Sequence, residues 1–343
     1  MTLSIISPNN KNREAALLFM LVLFLQAGCR VPPHRVARTM PAVKTAPLST
    51  TPALQDAFET ATSTPGRTPS PSQIPEAGDW FDSERAFDDL KTQLTFGPRY
   101  VGSPGHAQLR AWLRATLEKA GWKVRIQTGT MYGHEIHNII AYQDGQIQHP
   151  VLFGAHYDTR LEASEDPDPA RRKEPVLGAN DGASGVAVLL EMARILPPEI
   201  AQEVWLVFFD AEDNGNIPGW DWILGSRFFV QEMTVQPEAV VIVDMIADED
   251  LAIYRERNSS RELMDEIWET AHQLGYQDAF RPSFKYTILD DHVPFREAGI
   301  TAVNLIDFDY PYWHTTDDTL AHVSPDSLDA VGETIFAWLL SRE

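Results

Sequence analysis

Cysteine is nearly missing from this chain: its 343 residues contain one, Cys29. That thiol precedes any globular pattern, so disulfides and thiolate metal sites are excluded from the folded part. Basic residues are scarce too, with 28 Lys and Arg against 49 Asp and Glu and a formal net charge of −21. The whole acidic excess lies beyond residue 78. Such a domain lacks the clustered cations that phosphate contacts require, which excludes a nucleic-acid binder. Two catalytic signatures are also absent. No HExxH helix and no GxSxG elbow occurs, so the zincin and serine-hydrolase readings lack their motifs.

What is present begins with one long apolar run near the N-terminus. Lys11 and Arg13 precede "AALLFMLVLFLQAGC", which ends at Cys29. The run is too short for a stable membrane span and fits a signal peptide over residues 1–29. Ala27 and Gly28 directly before Cys29 resemble a bacterial lipobox, which implies a lipidated Cys29 and an extracytoplasmic protein anchored to a bacterial membrane; an ordinary signal peptide or a retained anchor is the alternative, and all three export the domain. Residues 30–78 follow, rich in Pro, Ser and Thr as in "TSTPGRTPSPSQIP". That composition cannot bury a core and reads as a disordered tether.

Residues 79–343 carry the pattern of one folded domain. "EIHNIIAY", "PVLFGAHYD", "EVWLVFFDAED", "AVVIVDMIAD" and "TAVNLIDF" read as strands, near-continuously apolar and therefore buried on both faces of a largely parallel sheet. Between them run helical periods: Leu109, Trp112, Leu113 and Leu117 share a face, as do Leu328, Val331, Ile335, Trp338 and Leu339. "GASGVAVLLEMARIL" opens with small residues and continues as a helix. The expected fold is a single α/β domain with a mixed, mostly parallel central sheet and helices on both faces.

In open α/β sheets the ligand site lies beyond the carboxyl ends of the strands. Here those ends carry His156 and Asp158, Glu212 and Asp213, and Asp244. Like charges side by side, as in Glu212–Asp213, are ordinary on a solvated loop, but three strands converging acids and a histidine on one edge point to a cation. Zinc takes imidazole nitrogen and carboxylate oxygen, and His156, Asp181, Asp213, Asp244 and His314 are the candidate ligands. Asp181, at a helix start in "LGANDGASGVAVLLE", also suits simple N-capping. His314, in "YWHTTDDTL", follows the last strand.

The ordered segments "HYDT", "GANDGASGVAVLLEMAR", "FFDAEDNG", "LGSRFF", "DDHVPF" and "YWHTTDDTL" resemble the zinc aminopeptidase family M28. Within it the chain is most similar to the glutaminyl cyclase branch, animal-type glutaminyl-peptide cyclotransferases and their bacterial relatives. "GPRYVGSPGHA" and "NIIAY" extend the likeness over nearly all of residues 79–343. The resemblance implies one zinc per chain held by Asp181, Asp213 and His314, with Glu212 as catalytic acid/base and Asp244 and Asp290 in a hydrogen-bond network with it. Asp213 departs from the family's frequent Glu by one methylene. Trp313 matches an aromatic of the cyclase pocket; Trp220 and Trp222, in "NGNIPGWDWILGS", are candidates for another wall. The implied reaction closes an N-terminal glutamine to pyroglutamate. The alternative within the family is an aminopeptidase with two zincs, His156 and Asp244 binding the second and Asp181 bridging both. Expected partners are peptide or protein N-termini and a membrane reached through the anchor, with no nucleic acid; the chain is expected to act as a monomer.

Overall fold

A computed structural model describes residues 80–145 and 149–342. The leader, Cys29 and the Pro/Ser/Thr-rich stretch lie outside these residues. In chain order the elements are α1 (Ser83–Leu94), α2 (Pro104–Lys119), β1 (Lys123–Met131), β2 (His134–Tyr142), β3 (Val151–His156), α3 (Ala183–Ile195), α4 (Pro198–Ala201), β4 (Val204–Phe209), α5 (Leu224–Gln231), β5 (Ala239–Asp244), β6 (Ile253–Glu256), α6 (Arg261–Leu274), β7 (Phe280–Tyr286), α7 (His292–Glu297), β8 (Ala302–Ile306) and α8 (Pro325–Leu340). No described helix is long and apolar enough to cross a membrane.

Six strands form the main sheet in the order β1-β2-β4-β3-β5-β8. The pairs β3–β4, β3–β5 and β5–β8 are parallel, whereas β1–β2 and β2–β4 are antiparallel. Side chains alternate between faces along each strand. On one face Leu206, Phe208, Val241, Val243, Val303 and Leu305 pack with Leu189 of α3 and Val331 and Trp338 of α8. On the other, Val207, Phe209, Val240 and Ile242 pack with Phe229 of α5 and Phe295 of α7. Both faces are therefore covered, which is why these strands read as unbroken apolar runs.

Three strands were not expected. β1 pairs with β2 along its full length, from Lys123↔Tyr142 to Met131↔His134. Tyr132 and Gly133 make the two-residue turn with φ of 51° and 89°, the left-handed pair that suits a tight hairpin. β1 leaves no residue fully buried, so its sequence lacks the apolar density that marks the others. β6 and β7 form a separate two-stranded parallel pair with register shifts.

Candidate metal centre and active site

The carboxyl ends of β3, β4 and β5 lie side by side and deliver His156, the Glu212–Asp213 pair and Asp244. Asp181 arrives from the turn before α3, and His314 from the segment after β8. Asp181 does not cap α3: the N-cap is Gly182, with φ of 95° and no side-chain cap bond. A Cβ at Gly182 would stand 2.7 Å from the Asp158 carbonyl oxygen and 3.1 Å from the His156 ring, so glycine lets the helix start against β3. Asp181 is thus free to turn its carboxylate into the site.

Two donor sets result. His156, Asp181 and Asp244 each offer an atom within 4.8 Å of one another, and so do Asp181, Asp213 and His314. In the first, His156 Nε2 lies 3.0 Å from Asp244 Oδ1 and 3.1 Å from Asp181 Oδ1. In the second, His314 Nε2 lies 2.7 Å from Asp213 Oδ1 and 3.6 Å from Asp181 Oδ2. All five side chains are buried. Oδ2 of Asp181 and Oδ2 of Asp213 are buried with no hydrogen-bond partner. Unpartnered carboxylate oxygens beside an imidazole, deep in the protein, fit a divalent cation, and the oxygen and nitrogen donors suit zinc.

The turns that carry these donors are held by Asp158, already noted at the end of β3, and by Asp318 and Arg99, which sequence reasoning left aside. Asp158 accepts the backbone N–H of Glu212 at 3.0 Å and that of Asp213 at 3.4 Å. Asp318 does the same for Asn180 at 2.8 Å and Asp181 at 3.1 Å, and accepts the Tyr310 hydroxyl. The buried Arg99 guanidinium donates to the carbonyls of Leu177 and Gly178, fixing the approach to Asp181. Ala211, Met245 and His314 have φ of 53°, 48° and 56°. Left-handed backbone at non-glycine residues costs about 1–3 kcal/mol each and gathers where a site over-determines it. Here it falls just before Glu212, just after Asp244, and at His314 itself.

Burial shifts the crowded acids in the same direction. Burial pushes the Glu212 carboxyl well above the usual carboxylate range; His156 opposes this, while Asp213, Asp290 and Asp291 add to it. Burial also lifts Asp244 to about 7 against the pull of His156. Burial and Asp181 raise Asp213, with Arg160 opposing. These acids resist ionisation until a cation offsets their crowding.

Glu212, Asp244 and Asp290 line one cavity of about 190 Å³ together with Asp181, Asp213 and His314. Its apolar walls include Trp222, Trp313, Ile288 and Phe308. Asp290 is aimed by Asn304 of β8, whose Nδ2 donates to Oδ2 at 2.6 Å. Trp220, expected beside Trp222 as a wall, is elsewhere: it stacks on His134 at 3.4 Å and lines a different cleft with His106 and Arg110. Of the two indoles, Trp222 alone lines the cavity.

The sequence profile of peptidase family M28 matches residues 138–339. Among solved structures, the chain is similar to the glutaminyl cyclase of Porphyromonas gingivalis, with a TM-score of 0.74 and 32% identity over 78% of this chain and 100% of that one. A leucine aminopeptidase precursor from Bacteroides thetaiotaomicron is also similar, with a TM-score of 0.71 and 29% identity over 79% and 99% of the two chains. Among curated proteins, a glutaminyl-peptide cyclotransferase-like protein of Bos taurus is 26% identical, covering 70% of this chain and 71% of its own length. The chain belongs to peptidase family M28.

Proposed function

We propose that this protein is a zinc-dependent glutaminyl-peptide cyclotransferase, converting an N-terminal glutamine of peptides or proteins to pyroglutamate with release of ammonia. The observation that carries the reading is the cavity: about 190 Å³, walled by Trp222, Trp313 and Ile288, with Glu212 and Asp290 beside the metal donors. That space suits a single side chain rather than an extended peptide. The similarity to the Porphyromonas gingivalis cyclase over its whole length supports the same reading.

Asp181, Asp213 and His314 would hold one zinc. Such an ion supplies Lewis-acid polarisation of a carbonyl oxygen when bound. The protein's own residues do the rest. The aromatic walls seat the glutamine side chain and exclude water. Bringing the α-amine against the γ-carbonyl carbon turns ring closure into a near-attack arrangement and removes much of its entropic barrier. Glu212 accepts a proton as the amine nitrogen bonds to that carbon, then returns it to the departing nitrogen, which leaves as ammonia; no water is consumed. Its elevated pKa suits a group that must both take and give a proton near neutral pH. Asp290, lining the same cavity, adds to the negative surroundings that keep the proton on Glu212 between the two steps, and Asp244 lines the cavity beside the metal donors.

One observation favours a second reading, a two-metal aminopeptidase: His156, Asp181 and Asp244 form an intact further donor set. Incubating the protein with a Gln-initiated peptide and weighing the product separates the two. Loss of ammonia from a peptide of unchanged length is expected; loss of the first residue would replace the cyclase by the peptidase. Export and anchoring through Cys29 remain part of the proposal, supported by the charged and apolar pattern of residues 1–29. Protein and peptide N-termini outside the cytoplasm are then the substrates within reach.

A further inference from the structure

Arg160 closes the segment "HYDTR" and has no part in the proton transfers above. Its side chain is 3% exposed, deep beside the metal donors. Nη1 donates to the Asp213 carbonyl at 2.7 Å, Nη2 to the Gly215 carbonyl at 3.1 Å, and Nε to Ser164 Oγ at 3.1 Å. The guanidinium thus grips the turn after Glu212 by its main chain. The same Nη1 stands 3.7 Å from Asp213 Oδ1, whose other oxygen has no hydrogen-bond partner.

The guanidinium also lies 5.1 Å over the Trp222 ring. Trp222 in turn runs nearly parallel to His314, with ring centroids 5.8 Å apart and planes inclined by 12°. Trp222 covers Gly215 so closely that a Cβ there would meet the indole at 2.0 Å. One buried cation therefore touches the backbone and the carboxylate of one metal donor and the indole that rests against another. A planar fork makes two carbonyl bonds and a stacking contact at once, which a lysine ammonium cannot.

We propose that Arg160 is a positioning residue: it sets the reach of the short Asp213 side chain toward the metal and pins Trp222 as a wall of the substrate cavity. Metal affinity and substrate fit then depend on a side chain that contacts neither metal nor substrate. The inference rests on the metal reading of Asp181, Asp213 and His314 given above.

The test measures zinc affinity of the full chain by competition with a chromogenic chelator. Arg160→Met is expected to weaken zinc by about 10–100-fold, the range for partners that orient metal ligands, and to raise KM for a Gln-peptide more than it lowers kcat. Arg160→Lys, which keeps the charge and the fold but loses the fork, should fall between the two. The decisive comparison repeats Arg160→Met in an Asp213→Glu background. A longer carboxylate needs less aiming, so the loss should shrink there. Equal losses in both backgrounds, or wild-type zinc affinity and KM in Arg160→Lys, would overturn the positioning role while leaving the metal reading intact. A parent chain that binds no zinc would overturn both, and is recognised before any variant is made.

Discussion

The two donor sets share Asp181 and nearly the same geometry, yet their histidines are in opposite electrostatic states. Burial pushes His156 down, but the carboxylates of Asp244, Asp158 and Asp181 around it outweigh this and carry it well above its usual value. Without a metal, the surrounding carboxylates therefore favour a proton on His156. Burial pushes His314 down to about 3, and Arg160 and His156 add to the effect against Asp181. His314 stays neutral, with a lone pair to give, and metal ligation needs the neutral ring. The difference supports the proposal of a single ion: a proton favoured on His156 competes with a second ion for the set that His156 forms with Asp181 and Asp244.

The contrast is broken or sharpened most strongly by removing each histidine. His314→Ala should abolish tight zinc binding and turnover, whereas His156→Ala should leave zinc near one per chain by elemental analysis. Loss of zinc in both, or in His156→Ala alone, would erase the distinction. Glu212→Gln should lower kcat by about 10²–10⁴-fold, the usual range for a lost acid/base, with zinc still bound. Wild-type turnover would reassign the proton carrier.

Removing the metal with a chelator should expose the crowded acids. A carboxyl whose folded pKa is raised binds its proton more tightly folded than unfolded, so its contribution to stability is complete below the unfolded value and is lost as pH rises through the folded one. With Asp244 at about 7 and Glu212 and Asp213 also raised, the melting temperature of the metal-free protein should fall from about pH 5 to pH 8. The zinc-loaded protein should stay level over that window. A smaller effect is expected from Asp290→Asn. It removes a charge that raises Glu212 and should move the acid limb of the kcat profile to lower pH. An unmoved limb would detach Asp290 from the proton carrier. Smallest of all, Trp220→Ala should leave KM for a Gln-peptide unchanged while Trp222→Ala raises it.

The strands with both faces buried were legible because Val, Phe and Ile run unbroken through β3, β4 and β5. Their acids were legible as candidate ligands because each sits at a carboxyl end. β1 escaped notice because it borders the sheet with Lys, Arg, Gln and Thr, and only the Tyr132–Gly133 turn marks it. Among the site residues, Asp181, Asp213 and His314 carried a recognisable ordered pattern and are brought together by the fold. Asp158 stood out at the end of β3 but not its role of holding the Glu212–Asp213 turn; Asp318 and Asn304 did not stand out, because aiming another side chain leaves no periodicity or spacing in the chain. Trp220 and Trp222 could not be told apart without knowing which way the loop turns.

The most direct measurement is a crystal structure of zinc-loaded protein with anomalous scattering recorded at the zinc edge. One peak among Asp181, Asp213 and His314, with Glu212 uncoordinated beside it, is the predicted result. A peak of similar height among His156, Asp181 and Asp244, or none at the first set, would contradict a single ion held next to a free glutamate.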